Sequence, residues 1–358
     1  MKQAYLVLED GTVFEGESFG AEGETIGEVV FTTGMVGYQE ELTDPAFSGM
    51  IVMRTYPLTG NYGVNSEDNE SDKTSVRGLI IKEAALCPNN FRSEGTIEDY
   101  LVKNNIIAIT GIDTRALTRK LRDEGAMNGM ITTDSNFDFE KRKDEIKAYE
   151  ISADMKEYST KEIDTKGNGT YKVAVLDIGT KHSLIENLIA HDMTVTVYPA
   201  DASAEEILKR SPDGIVISDG TGNPKDYEGI LDTVKELLTS KLPMMGVGMG
   251  HLLMAKASGA SLLKMKFGHR GANQPVKDLA SGRTYITTQN HGYVVDKDSV
   301  PTDVMEISHI NINDESIEGL RFKNQKAYTM AFSPDAARGV HTTEYMVSRL
   351  TEMMGGNK

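Results

Sequence analysis

The run Gly246-Val247-Gly248-Met249-Gly250-His251 follows the apolar stretch Met244-Met245 and has the spacing of a sharp turn from a strand into a helix. A glycine-x-residue-x-glycine elbow lifts its central side chain above the sheet edge, beside backbone N–H groups at a helix N-terminus. A nucleophile and the donors that stabilise an oxyanion belong in that position. Here the central residue is Gly248, which has no side chain to attack with. The turn of a nucleophile is predicted and the nucleophile is missing. The competing reading is a dinucleotide loop, but that fingerprint is G-x-G-x-x-G near the first strand of its unit. This run is G-x-G-x-G and follows a fourth strand.

Few other side chains offer chemistry. Cys87, the sole cysteine, stands beside Pro88 far from the elbow in sequence and reads as a small packing residue. A single cysteine also excludes an internal disulfide and suits a reducing cytosol, so a cytoplasmic protein is expected. His251, His269, His291 and His341 read as structural histidines. No cluster of Cys, His, Asp or Glu has metal-ligand spacing in the sequence, so no metal is expected.

The elements around the elbow have a βαβαβ rhythm. Val173–Leu176, Thr194–Val197, Gly214–Ile217 and Met244–Val247 read as short buried strands, with helices between them. Leu184, Ile185, Leu188 and Ile189 line one helix, Ser203 and Glu206 have capping-box spacing, and Ile230, Leu231, Val234 and Leu238 mark another helix. Strands alternating with crossover helices imply a mostly parallel sheet with helices on both faces, which binds ligands at the carboxyl ends of its strands. Residues 1–134 are instead strand-rich. Tyr5–Leu8 and Thr12–Phe14 flank an Asp10-Gly11 hairpin turn, and one helix is capped by Asp113 or Thr114, carries Leu117 and Leu121, and stops at Gly125. Residues 135–170 are polar and read as a linker with one solvated helix, leaving 171–358 as the second domain. The fold class is therefore α/β, with a strand-rich N-terminal α/β domain.

The chain has 38 Lys plus Arg against 54 Asp plus Glu, a net charge of -16. Such a surface repels phosphate backbones and anionic lipid, so neither nucleic acid nor membrane is an expected partner. No apolar run approaches the ~20 residues of a membrane span, and Met1 to Gly11 lacks the h-region of a signal peptide.

The elbow resembles the G-[IV]-C-L-G-H-Q run of class I glutamine amidotransferases, with Gly248 in the cysteine's place and Leu252 in the glutamine's. Lys266–Asn273 and Gln289-Asn290-His291-Gly292-Tyr293 are similar to segments of carbamoyl phosphate synthetase small subunits. Phe31–Glu40, Thr43-Asp44-Pro45, Tyr56-Pro57-Leu58 and Gly111–Thr118 resemble that subunit's N-terminal domain still better. The resemblance covers nearly the whole chain. It implies a class I glutamine amidotransferase-like second domain and a large partner subunit that uses ATP and bicarbonate. No cofactor is implied in this chain.

In active relatives a cysteine attacks the carboxamide, a histidine shuttles the proton and a glutamate orients the imidazole. The histidine and glutamate lie in a Q-F-H-P-E run, which here reads Ala331-Phe332-Ser333-Pro334-Asp335. Gly248, Ser333 and Asp335 thus stand at the three catalytic positions. Losing the nucleophile of a triad alone typically costs about four to six orders of magnitude. The resemblance places substrate-binding positions at Ser48, Gly220, Gly222, Met249, Leu252, Asn290, Gly292 and Tyr293, with Gly220 and Met249 offering the oxyanion-hole N–H groups. Leu252 cannot hydrogen-bond a substrate, and the group left unpaired costs about 1–3 kcal/mol. The loop usually written S-N-G-P-G-D-P reads Ser218-Asp219-Gly220-Thr221-Gly222-Asn223-Pro224, with a new carboxylate at Asp219. The expectation is a small subunit without glutaminase activity and with weak or absent glutamine binding. Two alternatives stay open: an active subunit with an unrecognised nucleophile, and a partnerless binding or regulatory paralogue.

Overall fold

The computed structural model describes residues 2–151, 155–334 and 342–355. The chain divides into two compact units, Met1–Ser152 and Ala153–Lys358.

The first unit is built on nine strands: β1 (Gln3–Leu8), β2 (Val13–Gly20), β3 (Glu24–Thr32), β4 (Met50–Arg54), β5 (Leu58–Thr59), β6 (Gly78–Ile80), β7 (Glu83–Ala84), β8 (Ile107–Thr110) and β9 (Met127–Thr132). Seven of them close a barrel in the order β1-β2-β8-β6-β4-β3-β9, while β5 and β7 pair separately. The β1–β2 hairpin turns at Asp10-Gly11, where Gly11 adopts φ 91°, a conformation that costs glycine nothing. Alternate strand residues feed two apolar clusters, as the two-residue period of a strand requires. Ala4, Leu6, Leu8, Ile51 and Met53 pack with Leu117 and Leu121 of α3 (Thr114–Glu124). Val30, Val52 and Ala108 pack with Leu42 of α1 (Tyr38–Thr43) and Leu101 of α2 (Ile97–Lys103). Helix α3 begins at Asp113, whose carboxylate accepts from Ala116 N, and ends at Gly125, as its sequence predicts.

The loop after β3 is held by a buried ion pair between Glu41 and Arg54. Arg54 Nη2 also donates to Gly34 O at 3.0 Å, and Thr32 Oγ1 donates to Glu41 Oε1 at 2.9 Å. With these donors committed inward, the tip of the loop turns outward: Met35 is 67% and Val36 50% exposed.

The polar stretch 135–170 is shared between the units. Helix α4 (Phe139–Ala148) buries only Ile146, which packs with Val7 and Met130 of the first unit, so its polarity is that of a solvated helix face. Strand β10 (Asp164–Lys166), after α5 (Met155–Tyr158), pairs with the sheet of the second unit.

That sheet also contains β11 (Tyr171–Ile178), β12 (Met193–Tyr198), β13 (Gly214–Gly220), β14 (Met244–Val247), β15 (Leu262–Asp278), β16 (Thr284–Val295), β17 (Met305–Asn311), β18 (Ile317–Phe322) and β19 (Ala327–Met330). Its order is β10-β12-β11-β13-β14-β19-β18-β17-β15-β16. The stretch β12-β11-β13-β14-β19 is parallel, and the remainder is antiparallel. Ala174 and Leu176 point to a face covered by α7 (Ala204–Leu208), α8 (Leu231–Thr239) and α9 (Met249–Ala257). Val173 and Val175 point to the other face, under α6 (His182–Ala190) and α10 (Tyr345–Met353). Burial on both faces explains the uninterrupted apolar runs of β13 and β14. The predicted α/β architecture is present, and the Gly246–Gly250 turn lies at the carboxyl end of β14.

Candidate active site

Gly248 joins β14 to α9 with φ 52° and ψ -111°, and its N–H donates to Met330 O of β19 at 2.9 Å. The flanking glycines are set by contact. A Cβ on Gly246 would lie 2.6 Å from Met254 Sδ, and one on Gly250 would lie 2.3 Å from Ile217 O. Strand and helix therefore meet too closely for any side chain at either place. At Gly248 the left-handed backbone disfavours a side chain, and so does a second residue. A Cβ there would lie 2.0 Å from Asp219 Oδ1.

Asp219 follows Ser218 near the end of β13, and Oδ1 of its carboxylate accepts two backbone hydrogen bonds, from Gly220 N and from Met249 N, each at 2.8 Å. These are the two N–H groups that the family resemblance assigns to the oxyanion hole. The donors are thus present and converge on one point, and that point is a carboxylate of the same chain. The neighbouring loop is braced by Tyr227, whose hydroxyl donates to Thr221 O at 2.7 Å and accepts from Thr221 N at 2.9 Å. Burial pushes the Tyr227 phenol well above its usual range, so it stays a neutral donor. Gly222 takes φ 71° in the same loop.

Ser333 lies just beyond β19 and is 8% exposed. Its backbone bridges Thr288 of β16, with Ser333 N donating to Thr288 O at 2.9 Å. Its hydroxyl accepts from Lys181 Nζ at 2.6 Å, and Lys181 is buried at the start of α6. Asp335 and His341 lie outside the described residues.

The expected substrate positions are distributed as follows. Leu252 is 3% exposed and belongs to the apolar cluster that includes Tyr227 and Leu253. Asn290, Gly292 and Tyr293 all lie on β16, and Asn290 sits opposite Arg270 in the ladder. Both carboxamide atoms of Asn290 are buried without a hydrogen-bond partner among the described residues. Gly292 and Gly268 leave room for the Arg270 guanidinium, since Cβ atoms there would lie 3.2 Å from Arg270 Nη2 and 2.3 Å from Nη1. Ser48 lies in the first unit, where its N–H donates to Pro45 O. Gly248, Gly220 and Met249 are therefore brought together around Asp219. Sequence reasoning noted Asp219 only as an unusual carboxylate and overlooked Lys181. The position of Lys181 between a parallel strand and its helix, at the ligand-binding edge of the sheet, is a signal that was available.

The histidines take contrasting roles. His251 is fully buried, Nδ1 pairs with Thr329 Oγ1 at 2.7 Å, and desolvation lowers its pKa to about 3, so it is neutral. Burial also acts to lower the His269 pKa, but hydrogen bonds to Asp314 (2.9 Å) and Glu318 (3.1 Å) outweigh it and raise the value to about 9. Burial raises the Glu318 carboxyl, and its bonds to His269 and His291 more than reverse this, holding it at about 2. His269, His291 and Glu318 offer ligand atoms within 4.8 Å of one another, a grouping that their sequence separation conceals. Each is already engaged: His291 Nε2 pairs with Gln289 Oε1 at 3.1 Å, and Gln289 Nε2 donates to Glu318 Oε2 at 3.0 Å.

Comparison with known proteins places the chain in a family. Among solved structures, a glutamine amidotransferase from Thermotoga maritima is similar over 52% of this chain and 100% of that one, with 13% identity and a TM-score of 0.42. Residues 6–131 match the carbamoyl-phosphate synthase small chain, CPSase domain, and residues 174–353 match glutamine amidotransferase class-I. A carbamoyl phosphate synthase small chain of Bacillus cereus is 47% identical over 334 residues, 93% of this chain and 91% of its own length. That of Listeria monocytogenes is 43% identical over 360 residues, 100% of this chain and 98% of its own. With relatives of this identity spanning nearly its full length, the chain belongs to the carbamoyl phosphate synthase small-chain family.

Proposed function

We propose that this chain is a small subunit that does not hydrolyse glutamine and that supports ammonia-dependent carbamoyl phosphate synthesis by a large subunit. The observation that carries this reading is the elbow: Gly248 supplies no nucleophile, and the donors that would hold an oxyanion hold Asp219 instead. Ser333, at the position of the proton-transferring histidine, has no useful basicity at neutral pH. Glutamine binding is weak or absent, since Leu252 is part of the apolar cluster and offers no hydrogen bond.

Docking to the large subunit is carried by the first unit. The buried Glu41–Arg54 pair fixes the loop that presents Met35 and Val36, and Tyr56, Leu86 and Phe91 of the same unit are 38%, 82% and 96% exposed. Apolar side chains exposed by a rigid support suit a protein interface. ATP and bicarbonate are handled by the partner, and this chain carries no cofactor. The heterodimer acts in the cytoplasm. The test is to reconstitute the chain with its large subunit, then compare glutamine with ammonium as nitrogen donor. Ammonium alone sustains turnover; glutamine-driven turnover near the ammonium rate would refute the proposal.

One observation favours a second reading, an active subunit with a substitute nucleophile: the hydroxyl of Ser333 is bonded to an amine, Lys181 Nζ. Glutamate release by the isolated chain and by the complex separates the two.

A further inference from the structure

We infer that Asp219 is a resident occupant of the former oxyanion site, converting it into an internal clasp between the end of β13 and the start of α9. The inference deepens the glutaminase-inactive reading and takes its sense from it.

Two features of the Asp219 placement support it. The first is bonding: one carboxylate oxygen accepts from Gly220 N and Met249 N, both at 2.8 Å. Bonds from backbone N–H groups to a charged acceptor are stronger than neutral ones, and negative charge is favoured at a helix N-terminus. Gly248, the residue preceding α9, has no side chain to cap it, so Asp219 provides from another strand what the elbow cannot. The second is steric: a Cβ at 248 would lie 2.0 Å from Oδ1 and 2.3 Å from Cγ of Asp219, far inside van der Waals contact. The clasp and a side chain at the elbow are mutually exclusive. A side chain at 248 therefore requires Asp219 to turn away, and while Asp219 stays it denies the two donors to any carboxamide oxygen.

The test is a double-mutant cycle on the full chain, read by thermal denaturation. D219A lowers the melting temperature by a few degrees because two donors lose their acceptor, and G248A lowers it through the clash. In D219A/G248A the clash is gone, so the combined loss is clearly smaller than the sum of the single losses. Additive losses would overturn the inference. Should D219A not fold, D219G runs the same cycle with no side chain at 219. A second readout probes the vacated donors: formate raises the melting temperature of the Asp219 variant and not that of the parent, against chloride at equal ionic strength. No selective effect of formate would also overturn it. The outcomes are separable from the parent reading. Glutamate release by the unmodified chain removes that reading whatever the cycle gives, whereas an additive cycle removes the clasp and leaves the reading standing.

Discussion

Lys181 Nζ lies 2.6 Å from Ser333 Oγ, joining two buried side chains 152 residues apart in sequence. A serine bonded to an amine has the outline of a nucleophile with its base. The rest of the site does not complete that arrangement, because Gly220 N and Met249 N, the two groups that the resemblance assigns to an oxyanion hole, are committed to Asp219. A tetrahedral intermediate formed at Ser333 would lack the donors whose removal typically costs about two to three orders of magnitude each.

Ser333 is therefore expected to be unreactive toward a fluorophosphonate. Incubation followed by mass spectrometry gives no more label on the native chain than on S333A. Stoichiometric labelling that S333A abolishes would revive the substitute-nucleophile reading.

A cysteine placed at 248 alone does not create a reactive thiol. In G248C the new side chain meets the Asp219 carboxylate, through both the clash and the charge that opposes a thiolate. Alkylation of G248C by a glutamine-analogue chloroketone is expected to be at least about tenfold slower than that of D219A/G248C, a difference of about 1.4 kcal/mol in barrier. Equal alkylation rates would show that Asp219 moves aside without cost.

The buried His269 network makes stability depend on pH with a definite sign. The folded pKa of His269 is raised from 6.5 to about 9, so its contribution is full below about 6.5 and is lost as pH rises through about 9. H269Q is expected to melt several degrees below the parent at pH 6, and the gap to close by about pH 10, measured by thermal denaturation across that range. A gap that stays constant with pH would mean that His269 acts through packing and not through its charge.

The Glu41–Arg54 pair is a test of the docking surface. Arg54 is 1% exposed, so E41A leaves a buried guanidinium without its carboxylate, a change that typically costs about 3–5 kcal/mol. Denaturant unfolding measures that loss. The exposed variant V36D should leave stability within about 0.5 kcal/mol and weaken binding of the large subunit, measured by titration calorimetry. Unchanged binding by V36D would move the interface elsewhere.

Much of the fold was legible because local rules and tertiary packing agree. The Asp10-Gly11 hairpin, the Asp113 cap with its Gly125 stop, and the buried strands that feed the elbow all follow from short-range pattern. The division of 135–170 was less legible. A helix burying one isoleucine has almost the composition of a solvated linker, and only Val7 and Met130 reveal where Ile146 belongs. At the site, the absence of a side chain at 248 could be read directly. The direction of the Asp219 side chain could not, since it is settled by Met249 N, 30 residues away in sequence. Lys181 and Ser333 meet only because β11 and β19 belong to one sheet, a relationship no local motif encodes.

The closeness of the Asp219 carboxylate to Gly248 also bears on what can be placed at the elbow. While the carboxylate stands where it does, a codon change that installs cysteine at 248 meets an obstruction at once. Exchange at 219 clears that space, and it also removes the acceptor of Met249 N at the start of the helix. A side chain at 248 and the Asp219 carboxylate compete for one volume, so the residue at 219 sets how much any substitution at 248 costs.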